Sequence, residues 1–486
     1  MNIPRVMSTQ HPDNISLPFF AQKPEMDDED ELQEAYYAYS HLGCDDQMWD
    51  HEGKEVDSFI VRKLVTRYES YFRAKVLGED HRLTLRVPNP DYEKTEAKVL
   101  IETLESIPRS TDAASLFYGR KVAPVFEVIL PMTTSAASLN RVYHYYREFV
   151  VGKQRKPFFP GDITIAQWVG ESAPDRINVI PLFEDKSNML KADEIVREYL
   201  KDKDVTEQRV FLARSDPAMN YGMLGAVLMN KIALYRLQQV QDDLGIAIYP
   251  ILGTGSCPFR GHFSPDNVQA LLDEYPSVQT YTAQSAFKYD HPAELVISAI
   301  QKLKDTPRGR ATGIDEEKSI HIADKVAEGY RAMVEQLAPF INQVAAFVPR
   351  RRMRRLHVGL FGYARSIGKT RLPRAIGFTA ATYSIGLPPE LFGLGNLSRD
   401  EIEWARQTWG NFDRAIASAM SCFNPAALEI IPKEVRDRLP LDLVDYVTNE
   451  EHREATDGII ESLRSCEFSN MQILVAEAAR ARKFLG

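Results

Sequence analysis

The chain has 486 residues, 44% hydrophobic and 26% charged, the proportions of an ordinary soluble globular protein large enough for one elaborated α/β barrel or two to three smaller domains. Its net charge of −9 argues against bulk nucleic-acid binding. Four cysteines (Cys44, Cys257, Cys422, Cys466) lie far apart with no CxxC spacing, which excludes a zinc ribbon and predicts reduced thiols.

Met1-Asn2-Ile3-Pro4-Arg5 has no apolar signal core, and no run approaches the roughly eighteen apolar residues of a membrane helix. The expectation is a cytoplasmic protein with no membrane partner. The opening segment to Phe20 is rich in Pro, Ser, Thr and Asn, and spacing alone reads its His11 as part of an irregular tail. Helices are predicted over 28–39 and 56–76. Between them, His41-Leu42-Gly43-Cys44-Asp45-Asp46 and Asp50-His51-Glu52 form an acidic, His-containing stretch that could bind metal, although composition favours a solvated loop. Residues 1–80 are thus expected to be loop and helices.

Strands begin at 82–87, where apolar and polar residues alternate up to Pro88. Residues 123–131 are nearly all apolar, as in a strand buried on both faces. Further strands are expected over 179–183, 209–213, 246–252 and 280–283. From 179 to 246 each strand is followed by one helix before the next strand. Such alternation predicts a TIM-type (β/α)8 barrel with its main run of units over 81–315, closure at eight strands being an inference from six visible ones. From 316 to 486 the chain turns mostly helical, with patterns over 325–347, 399–423, 435–448 and 470–485 and a basic loop at 349–374. One elaborated barrel domain over 1–486, carrying many additional helices, is the predicted organisation.

Chemistry concentrates where strands end. The 179–183 run stops at Glu184, and the 209–213 run stops at Arg214-Ser215-Asp216. Acids at the carboxyl ends of neighbouring parallel strands face the functional side of such a sheet. Glu184 and Asp216 are therefore a candidate divalent-metal pair, suited to Mg²⁺, which takes few protein carboxylates and fills its octahedron with substrate oxygens and water. An N-terminal helix cap by Asp216 before Pro217 is an equally weighted structural reading. After the next strand, the Gly-rich run 253–262 brings backbone N–H groups and Arg260 to the same face. Gly368-Lys369-Thr370 is not a phosphate-binding P-loop, because Tyr363 stands where its first glycine belongs. The basic loop instead suits delivery of Arg and Lys to a phosphate or carboxylate substrate.

Taken together, His11, Arg86, Glu184, Asp216, Arg260 and Arg374 make this chain resemble the shorter, archaeal-type phosphoenolpyruvate carboxylases along nearly its whole length. Met7-Ser8-Thr9-Gln10-His11-Pro12-Asp13-Asn14 is similar to the catalytic His-Pro motif, and Pro181-Leu182-Phe183-Glu184 and Ser215-Asp216 to the two metal-ligand motifs. Phe259-Arg260-Gly261 resembles the end of the Gly-rich catalytic loop, Arg374-Ala375-Ile376 a substrate-phosphate site, and Arg86 an arginine ending an early strand. Met219, Leu252 and Thr254 stand where the longer enzymes carry Lys, His and Arg; Arg365, Lys369 or Arg371 would supply that charge.

The resemblance implies Mg²⁺-dependent (alternatively Mn²⁺-dependent) carboxylation of phosphoenolpyruvate by bicarbonate to oxaloacetate and phosphate. Within it, His11 and Arg260 would be catalytic, and Arg86, Arg374, Lys369 and Arg371 would bind substrate. It further implies a homotetramer. The rival enzyme is a Mg²⁺-dependent barrel lyase or mutase that needs no bicarbonate. The rival non-enzyme is a nucleic-acid module using 350–355, which lacks interleaved aromatics.

Overall fold

The computed structural model describes residues 3–52, 56–95, 97–353, 366–367 and 370–486. Eight parallel strands close into a barrel in chain order. They are β1 (Val6–Ser8), β2 (Asp46–Asp50), β3 (Arg82–Arg86), β4 (Glu127–Leu130), β5 (Asn178–Phe183), β6 (Glu207–Ala213), β7 (Ala247–Gly253) and β8 (Thr280–Ala283). β8 returns to β1 through Val6↔Tyr281, Met7↔Thr282 and Ser8↔Ala283, so the inferred closure at eight is found.

The first eighty residues are corrected by this arrangement: they supply two of the eight strands as well as helices. β2 escaped notice because Asp-Gln-Met-Trp-Asp carries an acid at each end, and both acids point into the barrel rather than to water. Alternate residues of a strand share one face, and this period orders the interior in layers. At the bottom, Arg209 Nη1 donates to Asp46 at 2.8 Å and to Glu127 at 2.9 Å, and Arg82 Nη1 donates to Glu127 at 2.9 Å. Two acids and two arginines balance, as buried charges must. Two residues further along β2, β4 and β6 come Met48, Ile129 and Phe211, part of an apolar plug with Met7, Ile180, Leu182, Ala213 and Ile251. One step higher the same faces present Asp50, Arg86 and Glu184.

Outside the barrel, apolar residues of the strands pack against the surrounding helices in one core. A second core belongs to the C-terminal helices, built on Glu316–Ala345 and Ala375–Ser384. There the chain crosses the long helix so closely that a Cβ on Gly393 (φ +86°) would stand 2.2 Å from the Val326 carbonyl oxygen. The helices differ from expectation in detail. The 56–76 pattern forms Ile60–Arg67 and Glu69–Ala74, and the 399–423 pattern forms Arg399–Thr408 and Phe412–Met420. The predicted 325–347 helix starts earlier, at Glu316, under an Asp315 cap, and 470–485 is realised as Met471–Arg482. The predicted helix over 435–448 is absent: only Lys433–Arg436 is helical, since Pro440 donates no N–H and disfavours helix before it. A sixteen-residue helix, Glu450–Ser465, follows instead, with Asn449 as its cap.

Candidate active site

A cavity of about 430 Å³ opens at the carboxyl ends of the strands and is lined by His11, Arg86, Glu184, Asp216, Arg260 and Arg374. Six residues spread over more than 360 positions of sequence are thus brought to one place. His11, Glu184 and Asp216 follow the ends of β1, β5 and β6 by one to three residues, Arg86 is the last residue of β3, and Arg260 and Arg374 come from loops.

Glu184 follows β5 and is buried. Its Oε2 accepts a 2.7 Å hydrogen bond from the Met132 N–H. Met132 follows β4 in the left-handed region at φ 49°, a strained conformation for a non-glycine residue, held here where it aims a donor at the carboxylate. Burial, then the charges of Asp216 and of Glu52, push the Glu184 carboxyl well above the ordinary range. Excess negative charge with buried oxygens is what a divalent cation relieves, so this donor set fits one. Among the described residues no cluster of three or more His, Cys, Asp or Glu forms a protein-only cage. Asp216 is the second residue of the helix Ser215–Tyr221, whose N-cap position is held by Arg214 without a side-chain cap bond. The capping reading of Asp216 is therefore not realised.

Arg86 ends β3, and Asp50 ends the paired strand β2 at the same level. The guanidinium forks onto Asp50 through Nε at 3.0 Å and Nη2 at 2.6 Å, and Nη2 also lies 3.2 Å from Glu52. The loop expected to be a solvated acidic one is thus a wall of the site, with Asp50 and Glu52 buried.

His11 lies three residues past β1, and the tail reading of it is overturned. Thr9 N–H bonds to the Ala283 carbonyl, extending the β1–β8 pairing, and the His11 carbonyl accepts from Ser285 N–H at 3.2 Å. The His11 Nδ1 lies 2.9 Å from Thr9 Oγ1, which orients the ring.

Arg260 closes a tight turn, Pro258–Arg260, inside the Gly-rich run. Gly255 is needed beneath it, because a Cβ there would come within 3.0 Å of the guanidinium carbon. Arg260 is only 1% exposed. Its Nε donates to Ser215 Oγ at 3.0 Å, Nη2 to Gln284 Oε1 at 2.6 Å, and Nη1 to Asp13 at 3.4 Å and the Gly486 carbonyl at 2.6 Å.

Of the basic loop, Arg350, Arg351, Arg352 and Arg374 line the cavity. Arg371 is exposed and is not among the lining residues, and Lys369 and Arg365 lie outside the described residues. Arg352, although it lines the cavity, is largely buried and pairs with Glu31 and Glu34. Sequence reading did not name Gln284, gave Asp13 no role within the His-Pro motif, and placed Asp50 in an acidic loop. Asp50 had a signal: it stands two and four residues from Met48 and Asp46, the period of a strand.

A sequence model described as phosphoenolpyruvate carboxylase matches residues 3–486. The phosphoenolpyruvate carboxylase of Methanothermobacter thermautotrophicus is 53% identical over 486 residues, the full length of both chains. That of Methanospirillum hungatei is 51% identical, again over the whole of both. The one from Pyrococcus furiosus is 50% identical over 92% of this chain and 96% of its own. Among solved structures, an HpcH/Hpal aldolase/citrate lyase family protein from Burkholderia cenocepacia matches 62% of this chain and 94% of its own at 13% identity, with a TM-score of 0.33.

Proposed function

This chain belongs to the archaeal-type phosphoenolpyruvate carboxylase family, and from that premise we propose that its cavity carboxylates phosphoenolpyruvate with bicarbonate, giving oxaloacetate and phosphate irreversibly. The observation that carries the reading is the convergence of His11, Arg86, Glu184, Asp216, Arg260 and Arg374 on one cavity.

Glu184 and Asp216 would hold Mg²⁺, with Mn²⁺ as a substitute. Bound there, the ion supplies a Lewis acid beside the phosphate and enolate oxygens. Arg374 and Arg86 orient the substrate's phosphate and carboxylate for attack of bicarbonate on phosphorus. That attack forms the P–O bond of carboxyphosphate and releases the enolate of pyruvate. His11 takes the proton of the carboxyphosphate carboxyl, and CO₂ and phosphate separate. Arg260 lines the cavity beside the nascent CO₂ until the enolate carbon attacks it. Its donors are largely engaged with Ser215, Asp13, Gln284 and Gly486, so it acts as a fixed wall of positive charge rather than a mobile clamp. Water must be kept out, because a proton on the enolate carbon gives pyruvate instead.

The rival lyase or mutase needs no bicarbonate, and isotope transfer separates the two. With ¹⁸O-labelled bicarbonate, label in the released phosphate supports carboxyphosphate formation, and turnover with unlabelled phosphate refutes it. Nucleic-acid binding is disfavoured by the burial of Arg352. No helix among the described residues is long and apolar enough to cross a membrane, in keeping with a cytoplasmic enzyme. Assembly into a homotetramer completes the reading and is tested by light scattering.

A further inference from the structure

Near the start of the basic run stands Arg352, whose side chain is withdrawn from solvent into an ionic cluster at the cavity wall. Its Nη1 donates to Glu31 Oε1 at 3.0 Å; its Nη2 donates to Glu34 Oε1 at 2.7 Å and to Ser285 Oγ at 2.9 Å. Both acids come from one helix, Asp28–Tyr37, three residues apart and therefore on one face. Lys288 balances the charge: its Nζ donates to Glu34 Oε1 at 2.7 Å. Burial opposes the ionisation of Glu34, but Arg352 and Lys288 outweigh it and hold its carboxyl far below the usual range. Burial opposes the charge of the Arg352 guanidinium too, but Glu34 and Glu31 outweigh it and raise its pKa. Two acids and two bases thus face one another in one buried cluster.

The far arms of this cluster reach the segment that carries His11. Glu31 Oε2 accepts from Gln10 Nε2 at 2.9 Å, and Gln10 Oε1 in turn accepts from the Asp50 N–H at 3.0 Å. Lys288 Nζ also donates to Ser8 Oγ and to the Thr9 carbonyl, each at 2.9 Å. Ser285, which takes one Arg352 bond, gives its backbone N–H to the His11 carbonyl. On the other side, the backbone of 351–353 is stitched to Met26 by Met26 N→Arg351 O and Met353 N→Met26 O, both 2.9 Å. One guanidinium therefore joins the start of the basic loop to the residues flanking the imidazole and, through Gln10, to the backbone of the acid that grips Arg86.

We infer that Arg352 is a positioning residue for the carboxylation proposed above: it fixes the His11 segment against the start of the basic loop, so that proton removal from carboxyphosphate keeps step with formation of the enolate. This inference rests on that reading of the cavity. If the tie loosens, the first step still runs, because Glu184 and Asp216 lie outside the cluster. The enolate then waits, is protonated at carbon to pyruvate, and carboxyphosphate is hydrolysed back to bicarbonate and phosphate. Arg352 needs its planar fork for two carboxylates, which lysine cannot span.

The test compares wild type with Arg352→Gln, Arg352→Lys and the double variant Arg352→Met/Glu34→Gln. The double variant removes one charge of each sign, so it folds with Glu31 and Lys288 still in balance if Arg352→Gln does not. Phosphoenolpyruvate consumption is divided between oxaloacetate and pyruvate with malate and lactate dehydrogenase couplings, and hydrogen exchange is followed in peptides covering residues 8–16. The expected result is a tenfold or greater rise in the pyruvate-to-oxaloacetate ratio, partly reversed in Arg352→Lys, with half-activating Mg²⁺ within twofold of wild type. Exchange over residues 8–16 should accelerate while that around Glu184 does not. A variant that keeps the wild-type product ratio and the protection of residues 8–16, losing only thermal stability, would overturn the inference. Should wild type itself make no oxaloacetate, the carboxylase reading falls, and the exchange measurement still decides whether Arg352 holds the His11 segment.

Discussion

Asp13 and Arg260 meet in the interior, with Asp13 Oδ2 accepting from Arg260 Nη1 at 3.4 Å. The carboxylate also accepts the backbone N–H of Ala286 at 2.7 Å and of Ser256 at 3.3 Å. It therefore locks the segment carrying His11 to the Gly-rich turn carrying Arg260 and to the helix after β8. Asp13→Asn keeps the shape but loses the charge beside a buried guanidinium. We expect oxaloacetate formation to fall by about tenfold to a hundredfold, ~1.4 to 2.7 kcal/mol of transition-state stabilisation. Steady-state kinetics with unchanged far-ultraviolet dichroism would establish it, and full activity would confine Asp13 to folding.

His11 should carry proton transfer and little binding. In His11→Asn, oxaloacetate formation is expected to drop by roughly 10²–10⁴-fold, the usual contribution of a positioned acid–base group. Bicarbonate-dependent phosphate release should persist. Parallel assays of phosphate and oxaloacetate check the split, and equal losses in both would move His11 from the second step to the first.

Adjacent acids separate metal binding from helix capping. Asp185 caps the helix Lys186–Met189 by accepting from Asn188 N–H at 3.1 Å, whereas Asp216 lines the cavity. Asp216→Asn should raise half-activating Mg²⁺ at least about tenfold, as loss of one of two carboxylate ligands implies. Asp185→Asn, which can still cap, should leave it unchanged. Metal titrations of the two variants side by side give the answer, and identical curves would refute the assignment.

Acid stability has one assignable component in His81. Burial holds its imidazole down at about 4, and its Nε2 lies 2.7 Å from the Tyr71 hydroxyl. An unfolded histidine titrates near ~6.5, so the unfolded chain takes up this proton first. The fold consequently loses stability as pH falls from about 6.5 and stops losing it through this group below about 4. His81→Gln, which preserves an acceptor for Tyr71, should flatten the pH dependence by up to about 3 kcal/mol over that window. Chemical denaturation at several pH values measures it, and parallel wild-type and variant curves would contradict it.

Six strands were legible from sequence, β3 to β8, the clearest being apolar runs that end at a chemical group: β5 at Glu184, β6 at Asp216 and β7 at the Gly-rich run. β1 has only three residues and is fixed by pairing with β8 and β2, a tertiary cause with no local trace. β2 looked like an acidic loop because its acids serve buried arginines, Arg209 and Arg86, that lie far away in sequence. His11 was legible as chemistry only through the family motif; its surroundings come from residues more than two hundred and seventy positions away, such as Ser285 and Lys288. Arg352 and Arg374 sit in one basic run and both line the cavity, yet Arg352 is buried and bound to Glu31 and Glu34 while Arg374 is exposed. Charge alone does not distinguish them.

Carboxylation at this cavity is tested most directly by coupling the purified enzyme to malate dehydrogenase and following NADH. Oxidation should begin only when phosphoenolpyruvate, bicarbonate and Mg²⁺ are all present, and stop when any one is withheld. Oxaloacetate formed without added bicarbonate in CO₂-free buffer, or none formed with all three supplied, would contradict the account.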